Sequence, residues 1–192
     1  MIQGTYILDT NVYGELLIEP NSEDIIKGIN KDESTYIYGI NIIEDELRDT
    51  PIEIKLGKKL FRDAVISIYE IIVDEELKLF PVAKYIASKY YEEYDRLRKS
   101  GRYYKLVDSK TKKYTEDDLK VDFQIIAMAS LKGIDIVVST DRRTILSNLA
   151  ENTYNKVNKL NGLRTPRLVR YSDFKKRYLK IKTKFSVSRR DM

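Results

Sequence analysis

The 192-residue chain has no cysteine, no histidine and no tryptophan. Without cysteine there is no disulfide scaffold and no thiol nucleophile. Without cysteine or histidine a structural zinc site lacks its usual ligands, and imidazole cannot act as general acid or base. Any catalysis must therefore run on carboxylates, hydroxyls, lysine, tyrosine or a bound metal. Proline and glycine are also scarce, at 4 and 8 residues, while 42% of the chain is hydrophobic and 34% charged. That balance excludes collagen-like and disordered classes and points to one globular core. No run approaches the roughly 20 apolar residues of a membrane span. The opening MIQGTYILDTNVYG has no charged stretch before its apolar run and carries Asp9 inside it. It does not read as a signal peptide, and the expected location is cytoplasmic.

What is present points further. A formal net charge of +5 suits a polyanionic partner. Abundant Ile, Lys, Glu and Tyr with little Gln match a hyperthermophile composition. Thr5 to Leu8 and Thr35 to Ile40 read as β-branched and aromatic strands, as do Ile134 to Ser139 and Arg167 to Tyr171. Between them the pattern predicts helices from Ser22 to about Asn30 and from Ile42 to Asp49. Longer helices are expected from about Ile54 to Leu77, Pro81 to Lys99 and Arg142 to Leu160, with another opened by Ser172. Thr115 with Asp118 forms a capping-box start and Gly133 a stop, bracketing a helix over Glu116 to Lys132. Strands alternating with helices predict an α/β domain, a mainly parallel sheet in three α/β/α layers. The domain is expected over 1–174, enlarged by helices at about 81–114, with 175–192 as a basic C-terminal extension.

Two carboxylates fall on apolar helical faces. Glu46 projects between Ile42 and Ile43, and Asp122 shares a stripe with Leu119, Ile125, Ile126 and Ala129. No basic residue shares either stripe, and a buried carboxylate without a partner is strongly unfavourable. Asp9 and Asp141 each follow a strand at its carboxyl end, where open α/β sheets place ligands. If Glu46 and Asp122 lean toward that edge, four carboxylates converge and need a hard cation. All-oxygen ligands favour Mg²⁺ or Mn²⁺ over zinc. The chemistry such a site suits is metal-assisted phosphodiester hydrolysis, which needs no histidine.

The segments YILDTNV with Asp9 and Asn11, YGINIIEDELRD with Glu46, VDFQIIAMA with Asp122 and IVVSTD with Asp141 together resemble the PIN-domain ribonucleases, including VapC-type toxins and archaeal relatives. They occur in that family's order and span most of Ile2 to Asp141, and PRLVRYSDF resembles its last strand. The resemblance implies a PIN-like fold and Mg²⁺- or Mn²⁺-dependent endoribonuclease activity. It implies Asp9, Glu46, Asp122 and Asp141 as metal-site acids, with Asn11 and Thr140 or Ser139 as polar support. It also implies a homodimer and, for a toxin, an antitoxin protein. Two departures stand out. The middle helices and the C-terminal extension enlarge the core, and Asp118 lies one turn before Asp122, either a fifth acid or a helix cap.

Lys84 to Lys113 holds ten basic residues against four acidic ones, interleaved with tyrosines. The tyrosines at helical spacing read as core or dimer contacts. Arg102, Lys105, Lys110, Lys112 and Lys113 read as a loop that contacts single-stranded RNA. From Leu179 to Ser188 apolar and polar residues alternate, a strand pattern whose Lys180, Lys182 and Lys184 either bind RNA or protect an edge. Two rival readings remain open. One is a PIN-fold RNA-binding or assembly module that cuts nothing. The other is a haloacid dehalogenase-like phosphatase with Asp9 as nucleophile, although Asn11 stands where that family carries its second Asp.

Overall fold

The computed structural model describes residues 4–51, 53–56, 59–100 and 114–179. In chain order its elements are β1 (Gly4–Leu8), α1 (Thr10–Ile18), α2 (Ser22–Asn30), β2 (Thr35–Ile40), α3 (Asn41–Arg48), β3 (Lys55–Leu56), β4 (Lys59–Leu60), α4 (Phe61–Ile72), β5 (Glu75–Leu77), α5 (Pro81–Lys99), α6 (Glu116–Lys132), β6 (Ile136–Ser139), α7 (Asn148–Leu160), β7 (Arg167–Arg170) and α8 (Tyr171–Leu179). Five strands form a parallel sheet in the order β5-β2-β1-β6-β7, and β3 and β4 pair as a small antiparallel ribbon. The α/β class expected from the sequence is the one observed.

The strand order carries the functional geometry. From β1 the chain steps outward to β2 and then β5, while from β6 it steps the other way to β7. Right-handed crossovers therefore place α1 to α4 on one face and α5 to α7 on the other. The packing agrees, because α1 contacts α2, α3 and α4, whereas α5 contacts α6 and α7. α8 returns to the first face and packs on α2. The order reverses between β1 and β6, and it is at such a reversal, outside the carboxyl ends of the strands, that open α/β sheets bind ligands. All four residues of β6 are buried, as expected for a parallel strand covered on both faces.

α6 packs against α5 and β6. From Phe123 to Ser130 every residue is buried, so this helix has no solvent face over two turns. Its ends match the sequence reading: Thr115 and Asp118 form the reciprocal capping box, and Gly133 closes the helix at φ 67°. Phe123 sits among Tyr90, Tyr94 and Tyr154 at centroid distances of 6.0, 5.8 and 5.7 Å. Beside this cluster the Tyr90 hydroxyl donates to Asn158 Oδ1 at 2.6 Å, and Asn158 Nδ2 donates to Ser130 and Thr165. Tyr90→Phe would leave that buried carbonyl oxygen without its donor. The expected loss is about 1–3 kcal/mol, read as a melting temperature lower by roughly 2–4 °C per kcal/mol.

Three expectations are corrected. The single helix from Ile54 to Leu77 is instead β3, β4, α4 and β5. β5 exists because Glu75, Glu76 and Leu77 pair with Tyr38, Gly39 and Ile40 of β2, and Asp74 locks the approach by accepting from the Ile37 amide at 2.7 Å. The helix expected from Arg142 starts only at Asn148. Asp141 captures the amides of Arg143 and Thr144, and Ser147 caps Ala150, so turns occupy 142–146. Glu46 does not lie on the buried stripe of α3, which is formed by Ile43 and Leu47; it is exposed at the stripe's margin. Among the described residues no helix is long and apolar enough to cross a membrane. The basic loop with Arg102, Lys105, Lys110, Lys112 and Lys113, and the extension with Lys180, Lys182 and Lys184, lie outside the described residues.

Candidate active site

At the strand-order reversal β1 and β6 run side by side, with Leu8 level with Val138. β1 then ends, and the Asp9 amide makes one more ladder bond to the Val138 carbonyl at 2.9 Å. This places Asp9 at the N-cap of α1 with extended backbone, yet its side chain caps nothing. The carboxylate turns across the reversal instead. It accepts from the Ser139 hydroxyl at 2.8 Å and, more weakly, from Asn11 Nδ2 at 3.4 Å. The Ser139 oxygen in turn accepts from the Asp141 amide at 2.9 Å. One buried serine thus ties the ends of both strands together.

Asp141 is held by its own loop: Oδ1 accepts from the Arg143 and Thr144 amides at 2.6 and 3.0 Å, and Oδ2 from the Thr144 hydroxyl at 2.7 Å. The buried Thr144 hydroxyl also lies within hydrogen-bonding reach of Asp122, and its one proton can serve only one of these acids at a time. Thr144 was not legible as a site residue; its only sequence signal is its position three residues after Asp141. Glu46 reaches in from α3 and accepts from the Thr10 hydroxyl at 2.6 Å. Thr140 is half-buried and hydrogen-bonds to none of the four acids. Of the two roles open to Asp118, the structure forms the cap: its carboxylate accepts from the Thr115 amide and hydroxyl, each at 2.8 Å.

The electrostatics of the four acids are one-sided. Burial raises the Asp122 carboxyl to about 7, with the Thr144 hydrogen bond opposing and the charges of Asp9, Asp141 and Glu46 adding to the rise. Burial raises Asp9 to about 6, opposed by Ser139 and assisted by Glu46. Among the described residues no lysine or arginine is a main influence on either group, and no ion pair includes any of the four. The phenols of Tyr13 and Tyr154 are buried without a hydrogen-bond partner among the described residues. Burial, with Asp9 adding for Tyr13 and Asp122 for Tyr154, keeps both protonated.

The donor chemistry, carboxylates and hydroxyls alone, suits a hard divalent cation. The side chains as they stand do not form a ready cage: among the described residues no group of three or more acids has the arrangement to hold a metal ion. The four carboxylates therefore share a field without sharing a coordination centre.

No family model matches the chain, and no curated protein sequence matches it. Among solved structures it is similar to the crystal structure of VapBC2 from Rickettsia felis bound to a DNA fragment from their promoter, with 14% identity over 86% of this chain and 98% of that one, at a TM-score of 0.42.

Proposed function

We propose that this chain is a PIN-like endoribonuclease that hydrolyses RNA phosphodiester bonds with Mg²⁺ or Mn²⁺, in a toxin-like or RNA-processing role. The observation that carries the reading is that, at the strand-order reversal, Asp122 lies in the field of Asp9, Asp141 and Glu46, and Asp9 in that of Glu46, with no ion-pair partner for any of them among the described residues. A buried Asp9 and a half-buried Asp122, raised to about 6 and about 7 with no cation beside them among the described residues, are an arrangement that a divalent ion relieves. Asp9, Glu46, Asp122 and Asp141 would hold the ion. When bound, it would supply an activated water and stabilise the leaving oxygen. Ser139 keeps Asp9 pointed across the reversal, Thr144 and the two loop amides fix Asp141, and Thr10 anchors Glu46. The protein's part is to pre-position oxygens at a water-accessible edge.

The test is incubation of wild type and Asp122→Asn with end-labelled single-stranded RNA in Mn²⁺, in Mg²⁺ and in EDTA. Cleavage by wild type alone, abolished by EDTA, is the expected result. Equal cleavage by both proteins would refute the assignment. A second reading, a PIN-fold module that binds RNA without cutting it, is favoured by the lack of a three-acid metal arrangement among the described residues; RNA binding with no cleavage in any metal would select it. A phosphoenzyme trapped at Asp9 would select the phosphatase reading instead. A toxin role adds growth arrest on expression, relieved by a small antitoxin protein encoded alongside, and a homodimer in solution.

A further inference from the structure

β7 is the last strand of the sheet, and its outer edge carries no partner among the described residues. Between this edge and α8 lies a groove of about 530 Å³. Its floor is apolar, with Tyr6, Ile136, Val169 and Phe174, and its rim carries Arg167, Arg170 and Arg177. Arg177 is committed to the fold: it pairs with Asp32 at 2.8 Å and donates to Tyr6 and Ser34. The one acid on the rim, Asp173, pairs with Lys176. Arg167 and Arg170 are exposed and join no ion pair among the described residues. Asp173 also feels the charge of Arg170, and Arg167 and Arg170, three residues apart on β7, leave the strand toward opposite faces; the open edge therefore presents two exposed guanidiniums that join no ion pair among the described residues.

The register of β7 connects them to the acids. Arg170 is level with Ser139, the residue that binds Asp9 and receives the Asp141 amide, so its backbone is one strand spacing, about 4.8 Å, from that serine's. Arg167 is level with Ile136, about 10 Å back along the same edge. Arg142 and Arg143, exposed and likewise outside every ion pair described, follow Asp141 at the carboxyl edge. A polyanion lying across the acids would run on toward Arg170 and then Arg167.

We infer that the open β7 edge is a phosphate track for single-stranded RNA, in which Arg170 and Arg167 hold the backbone of the strand whose scissile bond lies over the acids. This rests on the nuclease reading above and adds to it where the substrate leaves the site. Guanidinium forks are suited to phosphate oxygens, and the contacts are to the backbone, so they position any sequence alike.

The test is equilibrium binding of the full-length chain, in EDTA, to a labelled oligouridylate of about 16 nucleotides, titrated between about 50 and 200 mM salt. Losing two phosphate contacts should weaken binding on the order of tenfold for Arg167→Ala/Arg170→Ala, and make the log–log salt slope less negative by about 1.4. Arg167→Lys/Arg170→Lys should recover most of the affinity. Lys27→Ala/Lys31→Ala, which removes the same charge from α2 and its C-cap, should not reproduce the effect. Affinity and slope unchanged in the alanine pair, or equally altered in the α2 pair, would overturn the track. Loss of binding to polyglutamate but not to oligouridylate would overturn it in favour of an acidic polypeptide on this edge. Hydrolysis of bis(p-nitrophenyl) phosphate in Mn²⁺ by wild type against Asp122→Asn reads the acid site separately, so failure of the nuclease reading and failure of the track give different results.

Discussion

Asp122→Asn is expected to abolish metal-dependent RNA cleavage and, in the same protein without metal, to raise stability above neutral pH. The two effects have one origin. In the folded chain the Asp122 carboxyl is raised from 3.8 to about 7, first by burial and then by the charges of Asp9, Asp141 and Glu46. The folded state therefore binds this proton more tightly than the unfolded one. The stability this linkage contributes is fully present below about pH 4 and is lost as pH rises through about 7. Asp9, raised to about 6, adds a loss over a window ending one unit lower. A shift of this size corresponds to about 4 kcal/mol for Asp122 taken alone; the acids interact, so their contributions do not add.

Other carboxylates work in the opposite direction. Asp135 and Asp32 are held below the ordinary value, Asp135 chiefly by Arg164, and Asp32 because, against burial, the hydrogen bonds from Ser34 and Thr35 and the charge of Arg177 together prevail; their stabilisation is lost on acidification. The informative quantity is therefore the difference in melting temperature between wild type and Asp122→Asn, measured in EDTA from pH 4 to pH 9. It should be small at the acid end and grow to several degrees in favour of the variant by pH 8. Adding Mn²⁺ at pH 8 should raise the melting temperature of wild type and leave the variant little changed, because binding to the folded state alone stabilises it. A difference that does not vary with pH would mean that Asp122 is not held at the raised value, and the electrostatic basis of the site would fall with it.

Gly39→Ala should destabilise the fold by roughly 3 kcal/mol, at the upper end of the usual range for overpacking. A Cβ at this position would stand 2.1 Å from the Tyr69 hydroxyl oxygen, 2.7 Å from the same ring's Cζ and 2.9 Å from Val73 Cγ1. No positive φ is involved; the requirement is close approach alone. The ring cannot step aside easily. Tyr69 is buried, packs tilted against Tyr13 at a centroid distance of 5.4 Å, and belongs to α4, which packs on both α1 and α3. Gly39 also pairs with Glu76 in the register that creates β5, so displacing Tyr69 strains the junction from which α3 and Glu46 depart. Thermal or urea unfolding of Gly39→Ala reads the loss directly, and Tyr69→Phe in the same background should restore part of it. A loss below about 0.5 kcal/mol, the range of neutral surface changes, would show that the contact relaxes freely.

The sequence by itself determined the α/β class, most strand positions and both ends of α6. These rest on local physics: hydrophobic periodicity, the Thr115–Asp118 reciprocal cap and a glycine able to take φ 67° at the helix end. It also placed Asp9 and Asp141 at strand ends, because a β-branched run followed by Asp is a local signal. The tertiary structure decided the rest. β5 is two glutamates and a leucine with weak strand propensity, made a strand only by pairing with β2. Residues 142–146 leave the helix because Asp141, anchored across the sheet through Ser139, binds their amides more favourably than a helical turn does. The wheel that put Asp122 on an apolar face understated its helix, which from Phe123 to Ser130 is apolar-packed on every side. The same projection overstated the burial of Glu46, since a wheel does not say where the sheet ends. The exposed arginines of β7 were silent in one dimension for the same reason: the role inferred for them rests on a neighbour thirty-one residues earlier in the chain, Ser139 beside Arg170, and long-range register is a property of the folded sheet, not of any segment within it.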